Sequence, residues 1–494
     1  MPRDGYDVVV VGAGNAALCA ALAARQRGAS TLVIERAPEH LRGGNTYFTG
    51  GGFRFPYRGL DDVRALIPDL SDVEARSIDV GSYNEEQMYA DMMRVSEGLA
   101  DETLIDHVVR HACPTMLWMR EQGMRWVLQY GRQAFESGGV RRFWGGLISE
   151  AVGGGKGLSD ALFSLAEHAG ARIRYETKAV ALRRDQAGGV CGVVAQTSDG
   201  FDEIDARAVV LACGGFEANA EMRTRYLGPG WELATVRGTQ FNTGQGIQMA
   251  LDIGAMPYGH WSGCHAVAWD LNAPPFGNRN VGDLYQKHSY PFGIVVNANG
   301  QRFIDEGADF RNYTYAKYGR EILGQPQRVA YQIFDAKVMH LLRDEYRIPQ
   351  VTKAEADSVG GLAQALGIDR EGLVRTVEDF NASVQSASFD PTRLDGRRTD
   401  GVSPPKSNWA QAIDTPPFVG FAVTCGITFT FGGLRINTGA QVINSDGRAI
   451  PGLFAAGELV GGLFYFNYAG GSGLMSGSVF GKIAGESAAT LAAM

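Results

Sequence analysis

Val8 to Val11 form an unbroken apolar run, the pattern of a parallel strand covered on both faces. A glycine turn follows, then an alanine-rich stretch to Arg27, then Thr31-Leu32-Val33-Ile34, which ends at Glu35. The order predicts strand, tight turn, helix, strand. Ala206 to Ala212 predicts another buried strand ending in Cys213-Gly214-Gly215, and Leu453 to Ala456 one that ends in Gly457-Glu458. Helical spacing recurs over Gly361 to Leu366 and Arg370 to Ser383, and a last helix is predicted from the Gly470-Gly-Ser-Gly473-Leu474 cluster to about Leu491. From about Gly259 to Gly426 the character changes to prolines and loops rich in Tyr and Phe. This stretch reads as a second domain inserted into the first, with Asp390 to Pro405 as a long surface loop.

The length of 494 residues suits two domains. Glycine is the compositional outlier, 66 of 494 residues or about 13% against a usual ~7%. The glycines have no triplet period and read as points where backbone approaches something closely. A net charge of −8 supplies no overall field for nucleic acid. No apolar run is long enough to predict a membrane span, and the first strand begins too early to leave room for a secretory signal. The six cysteines are scattered without a C-x-x-C pair. No metal site, iron–sulfur cluster or disulfide is expected, and free thiols in a reducing cytoplasm are.

Gly12-x-Gly14-x-x-Ala17 lies between the first predicted strand and helix. Gly12 allows the tight turn, Gly14 lets a pyrophosphate approach the helix N-terminus, and Ala17 permits close helix–strand packing. Glu35, with Arg36 beside it, stands where an acid takes ribose hydroxyls. A dinucleotide site follows. Three features favour FAD over NAD. The Arg42-Gly43-Gly44-Asn45-Thr46 loop comes soon after the ribose acid, where a flavin needs small residues. Gly457-Glu458 ends a late strand. Gly473-Leu474 then opens a helix whose positive end can face the flavin.

These motifs resemble the flavoproteins of the fumarate reductase and succinate dehydrogenase family. The resemblance rests on the fingerprint, the Gly43-to-Thr46 loop, Val210 to Phe216 with Gly215, Thr243-Gly-x-Gly246, Arg302-Phe-x-Asp-Glu306 and Ala456-Gly-Glu458, in the family's order. It implies an α/β fold: a Rossmann-like FAD-binding domain, residues 1–259 and 427–494, with an inserted α+β capping domain, residues 260–426. Substrate is then expected between cap and flavin. Membrane-bound members attach flavin through a histidine whose place is taken here by Asn45, which implies non-covalent FAD. Asp305 to Tyr315, Cys425 to Gly433 and Gly461 to Tyr468 further resemble the tricarballylate dehydrogenase subgroup.

Taking hydrogen from a carbon–carbon bond needs a hydride acceptor, a proton acceptor, and a group that stabilises charge on the activating carboxylate or carbonyl. By resemblance Arg311 exchanges the proton, through a relay with Asp309 or Glu306, or clamps a carboxylate. His265, with His260 as competitor, is expected to bind substrate. Phe429 and Asn467-Tyr468 stand where fumarate reductases place a histidine and an arginine. Tyr468 resembles the ketone-polarising tyrosine of 3-ketosteroid dehydrogenases. Arg132, Arg141 and Arg142 form a basic and aromatic stretch that offers a further carboxylate contact. The expectation is a cytoplasmic dehydrogenase or reductase acting on CH–CH groups of a (poly)carboxylate. It needs an external electron acceptor, an iron–sulfur or membrane partner among them. The rivals are an enone-type dehydrogenase or flavin oxidase, and a flavoprotein subunit of an electron-transfer complex.

Overall fold

The apolar runs at the start of the chain become the centre of a parallel sheet in the computed structural model, which describes residues 5–494. β1 (Tyr6–Val11) leads through the glycine turn into α1 (Asn15–Gln26) and on to β2 (Thr31–Ile34). Val8, Val9 and Val10 have no exposed surface, because β1 is covered on both faces. β3 (Gly200–Leu211) pairs parallel with β1, setting Val9 opposite Val209 and Val11 opposite Leu211. The first half of β3 pairs antiparallel with Val190–Thr197, so one long strand serves two kinds of neighbour. The short strand Arg172–Arg174 closes the sheet beyond β2.

β4 (Pro257–Asp270), β5 (Ile294–Asn297), β6 (Ala330–Phe334) and β7 (Phe418–Leu434) build the second sheet. β7 runs seventeen residues, dense in Phe, Val, Thr and Ile, the residue types that fit a pleated buried surface. It pairs antiparallel with β6 near its start and with β4 along its second half. The domain boundaries expected at 259/260 and 426/427 fall inside β4 and β7. Residues 260–426 thus run on from the rest of the chain through two long paired strands and not through loops. β8 (Ala449–Ala455) returns to the first sheet beside β3, with Val209 opposite Leu453.

α2 (Ser472–Ala492) ends the chain and lies against α1. Small residues make this approach possible. A Cβ added to Gly481 or Gly485 would collide with the backbone carbonyls of Ala16 and Ala20. The helices expected after Gly361 and Arg370 are observed at Val359–Leu366 and Arg370–Ser383. Among the described residues no helix is long and apolar enough to cross a membrane. All six cysteines are unpaired.

Candidate active site

The carboxyl ends of the first sheet's strands open on a cleft with about 1370 Å³ of empty space, continuous with solvent. Gly12 and Gly14 form one end of its floor. Gly12 has φ +102°, a left-handed conformation, and a Cβ there would sit 2.5 Å from the Ala212 carbonyl oxygen. α1 begins at Gly14 with no side-chain cap and no acid in its first turn, which leaves the positive end of the helix to an anion. Glu35 and Arg36 face the same cleft at the end of β2. Burial pushes the Glu35 carboxyl up, and the Ala37 N–H, donating over 2.8 Å, opposes this. Gly44, Asn45 and Thr46 form a side wall, and Gly457, Glu458, Gly473 and Leu474 the far end. The Thr46 hydroxyl accepts the Asn15 N–H at 2.9 Å and so ties the early loop to α1.

Ala17, Gly43 and Gly215 do not face the cleft. Ala17 is buried in α1. A Cβ on Gly43 would strike Ser159, and one on Gly215 would strike Glu458 and Thr430. Their smallness brings other elements together behind the wall. Thr177-Lys178-Ala179 and Phe241-Asn242-Thr243 line the cleft as well. Sequence reading did not single them out for it, although Thr243 opens one of the glycine motifs.

Asn45 is fully engaged by protein. Its Nδ2 donates to Glu217 Oε1 at 2.7 Å and to the Thr428 carbonyl at 2.8 Å, and its Oδ1 accepts the Thr239 N–H. Glu217 also accepts from Asn242 at 2.7 Å, while Glu458 accepts the Thr430 N–H at 2.9 Å. Glu217, fully buried, and Glu458, half-buried on the cleft, thus lie side by side. Burial, then the Glu458 charge, hold Glu217 well above the usual carboxylate range. A carboxyl raised by folding stabilises below its unfolded pKa, and that contribution is lost as pH rises through the folded value. Glu217→Gln is therefore expected to flatten the loss of melting temperature of the holoprotein on the alkaline side. An unchanged pH profile of Tm would contradict a Glu217 carboxyl raised by folding.

A second cavity lies beyond the far end of the cleft. Thr428, Phe429, Tyr468 and Leu474 line both spaces, so they form the wall between them. Arg132, Arg237, Arg311, His265, Asp283 and Tyr315 face the cavity. Asp283 accepts from Arg132 at 2.7 Å and from the Arg237 Nε at 3.0 Å, bridging the two. Burial works against the Arg132 charge, but Asp283 and two glutamates outweigh it and raise its pKa. Arg311 differs. It donates to the Arg132 carbonyl at 3.1 Å, lies 3.5 Å from His288 Nδ1, and makes no ion pair among the described residues. Burial lowers its pKa; Glu345 resists and Arg132 adds to the lowering.

The relay expected through Asp309 or Glu306 is not in place: Asp309 pairs with Arg94 and Glu306 with Arg302. Arg141 and Arg142 are exposed, and only Arg132 of that stretch reaches the cavity. His265 sits on β4 opposite Phe429, its ring stacked 5.2 Å from the phenyl ring. Burial, then the Arg237 charge, hold the imidazole well below its ordinary value, so it is neutral, with Nδ1 unpartnered. His260 instead accepts the Phe466 N–H and stacks on Tyr465 outside the cavity. The Tyr468 hydroxyl accepts the Gly471 and Gly473 N–H groups at 2.9 and 3.1 Å, capping α2, and no described group accepts its own proton.

A dinucleotide cleft sharing a wall with a buried cationic cavity defines an FAD-dependent oxidoreductase. The chain belongs to the FAD binding domain family, matched over residues 7–474. It is 30% identical to the probable fumarate reductase Ifc3 of Shewanella frigidimarina (strain NCIMB 400), over 99% of this chain and 75% of that protein. It is 27% identical to 3-oxosteroid 1-dehydrogenase of Mycobacterium tuberculosis, over 98% of each chain. The open conformation of a flavocytochrome c3 fumarate reductase superposes with a TM-score of 0.72 at 27% identity, covering 99% of this chain and 79% of that one. The resemblance drawn from the glycine motifs to the fumarate reductase flavoproteins therefore holds, and so does the fold class. The cleft fits FAD: the uncapped α1 N-terminus for the pyrophosphate, an acid at the end of β2, and a turn at Gly12 that no side chain can enter.

Proposed function

We propose that this FAD-dependent enzyme acts on a carbon–carbon bond next to a carboxylate, with a tricarballylate-like polycarboxylate as the first substrate to test. Arg311 carries the reading. It is a buried guanidinium on the cavity that makes no ion pair among the described residues. A buried cation without a partner is costly, and a substrate carboxylate matched to its bidentate fork removes that cost. When bound, FAD supplies the hydride acceptor or donor. Arg311 holds the carboxylate and exchanges the proton of the adjacent carbon, a role eased by its lowered pKa. His265 is a neutral hydrogen-bonding partner for substrate, and Tyr468 offers its free proton from the shared wall. We assign residues 1–259 and 427–494 to the FAD domain and 260–426 to the cap.

Electrons pass to an external acceptor, an iron–sulfur or membrane partner or oxygen, since no described cluster of side chains suits a metal ion. A reducing cytoplasm suits six unpaired thiols. The Tyr468 proton, with Tyr315 4.8 Å from His288 by ring centroid and also on the cavity, favours one alternative, an enone-type substrate polarised at its ketone. Anaerobic mixing of the oxidised holoenzyme with tricarballylate, succinate and saturated ketones decides between them. Flavin bleaching by a carboxylate is expected. Bleaching by ketones alone would overturn the proposal.

The FAD is non-covalent in this reading, because Asn45 offers no nucleophile and its amide is spent on Glu217 and Thr428. Acid precipitation should release all yellow colour to the supernatant. Colour held in the pellet would refute it.

A further inference from the structure

Glu217 has no exposed surface, and its two oxygens are served unequally. Oε1 accepts from the side-chain amides of Asn45 and Asn242, each at 2.7 Å. Oε2 is buried, and no described group donates to it. An ionised carboxylate is acceptor-only, so an oxygen in that position calls for a proton of its own. Glu458 is better supplied. Its Oε1 accepts the Thr430 N–H at 2.9 Å and the Thr430 hydroxyl at 3.3 Å, and its Oε2 accepts the Asn242 amide at 3.4 Å. The hydrogen bond between the two carboxyls raises Glu217 and lowers Glu458, so the proton of the pair sits on Glu217. Among the described residues no cation pairs with either carboxyl. Arg223, on the helix Ala220–Leu227, donates to the backbone carbonyls of Glu217, Trp231, Glu232 and Ala234. Arg36 donates to the Phe241 carbonyl and the Thr243 hydroxyl. Burial pushes the Cys213 thiol up to about 12, so it brings no charge.

The pair belongs to the cofactor cleft. Asn45, Asn242, Thr428 and Glu458 line it, and Thr428 is also part of the wall shared with the substrate cavity. Electrons that cross that wall arrive in a cleft whose side holds one carboxylate and one exchangeable proton. Negative charge brought beside buried carboxyls raises their proton affinity. We propose that Glu217 and Glu458 form a redox-linked proton site: on the alkaline side the oxidised enzyme has lost the proton of the pair, and reduction of the flavin draws one back from solvent. The balance is one hydride, two electrons with a proton, from substrate to flavin, and one further proton from solvent to the pair. When the external acceptor takes the two electrons, the pair returns its proton to solvent. Glu217 does not face the cleft and acts through Glu458, which makes it a positioning residue. The inference rests on FAD in the cleft and is independent of which substrate fills the cavity.

The test is the midpoint potential of the holoenzyme, read from flavin absorbance in anaerobic titrations from about pH 6 to about pH 10, a range that brackets a raised carboxyl. In the parent the potential should fall more steeply over an alkaline interval. One added proton per two electrons is a tenfold change per pH unit, about 30 mV per pH unit for a two-electron couple. Glu217→Gln mimics the protonated acid: its oxygen still accepts from Asn45 and Asn242, and its amide donates to Glu458. The steeper interval should vanish in this variant, while its acid-side equilibrium constants stay within about twofold of the parent's. Glu458→Gln removes the neighbouring charge, so Glu217 loses its proton at lower pH and the interval should move down the scale. A merely structural Glu217 would change FAD retention and not the number of protons taken up. Should both variants lose FAD, proton uptake by the parent decides, followed with an indicator dye during reduction in weak buffer. Uptake per flavin should rise within the alkaline interval. A parent without that interval, or a Glu217→Gln holoenzyme that keeps it, would overturn the proton site.

Discussion

Arg311→Lys is expected to lose about 10²–10⁴ in kcat on the substrate that bleaches the flavin, with FAD content and melting temperature near those of the parent. Lysine keeps the charge but offers a point donor where the cavity is shaped around a planar fork. It also cannot reach the Arg132 carbonyl and His288 together, the two contacts that now orient the guanidinium. The way the loss divides identifies the role. A group that only clamps a carboxylate binds ground state and transition state alike, so its loss raises KM and spares kcat. A group that also exchanges the proton lowers kcat. Tyr468→Phe is the companion variant. It removes the proton offered to the cavity and the acceptor for two N–H groups of α2. Steady-state kinetics of both variants on one substrate separate the proposals. A fully active Arg311→Lys beside an inactive Tyr468→Phe would replace the carboxylate reading with the ketone one.

The cofactor cleft was legible because its parts are local. A continuous apolar run, a glycine turn and an acid at the next strand's end lie within the first 35 residues, and each follows from short-range physics. Gly43 and Gly215 show the limit of that reading. Their motifs were right, but whether a glycine faces ligand or packs against a neighbouring side chain depends on what tertiary structure puts there, Ser159 in one case and Glu458 in the other.

The substrate cavity was much less legible. Arg311, His265 and Tyr468 were found through resemblance. Arg237, Asp283 and His288 lie outside every recognised motif, and nothing in their local sequence marks them. The relay acids fail for a related reason. Asp309 is only two residues from Arg311, yet the short helical turn at Arg311–Tyr313 turns the two apart, and Asp309 reaches Arg94 instead. The carboxyl pair was half visible, since Glu458 sat in a recognised motif. Glu217 followed the Gly215-Phe216 step, where a buried acid reads as a surface residue until its partner is known.

Gly12→Ala and Gly14→Ala should both deplete FAD, and they should do so by different routes. At Gly12 the backbone has φ +102°, and the added methyl would lie 2.5 Å from the Ala212 carbonyl oxygen and 2.8 Å from the Cys213 Cα. Neither contact can relax by a side-chain rotation, because both partners are backbone of the strand end beside β1. Left-handed strain of about 1–2 kcal/mol adds to the collision, so the fold itself should lose several kcal/mol and the protein should be recovered largely without flavin. Gly14 has φ −85°, open to any residue, and the nearest protein atom to its added methyl is the Thr46 hydroxyl at 3.5 Å. That methyl meets little protein and projects toward the cleft that Gly14 lines. Gly14→Ala should therefore give a folded apoprotein of near-parent melting temperature whose FAD affinity has fallen at least about tenfold, through lost approach of the pyrophosphate to the α1 N-terminus. Melting of both apoproteins and FAD titration monitored by flavin fluorescence distinguish the two routes. A Gly14→Ala protein that binds FAD like the parent would remove the pyrophosphate from this turn, and a Gly12→Ala apoprotein as stable as the parent would show that the strand end yields where its geometry says it cannot.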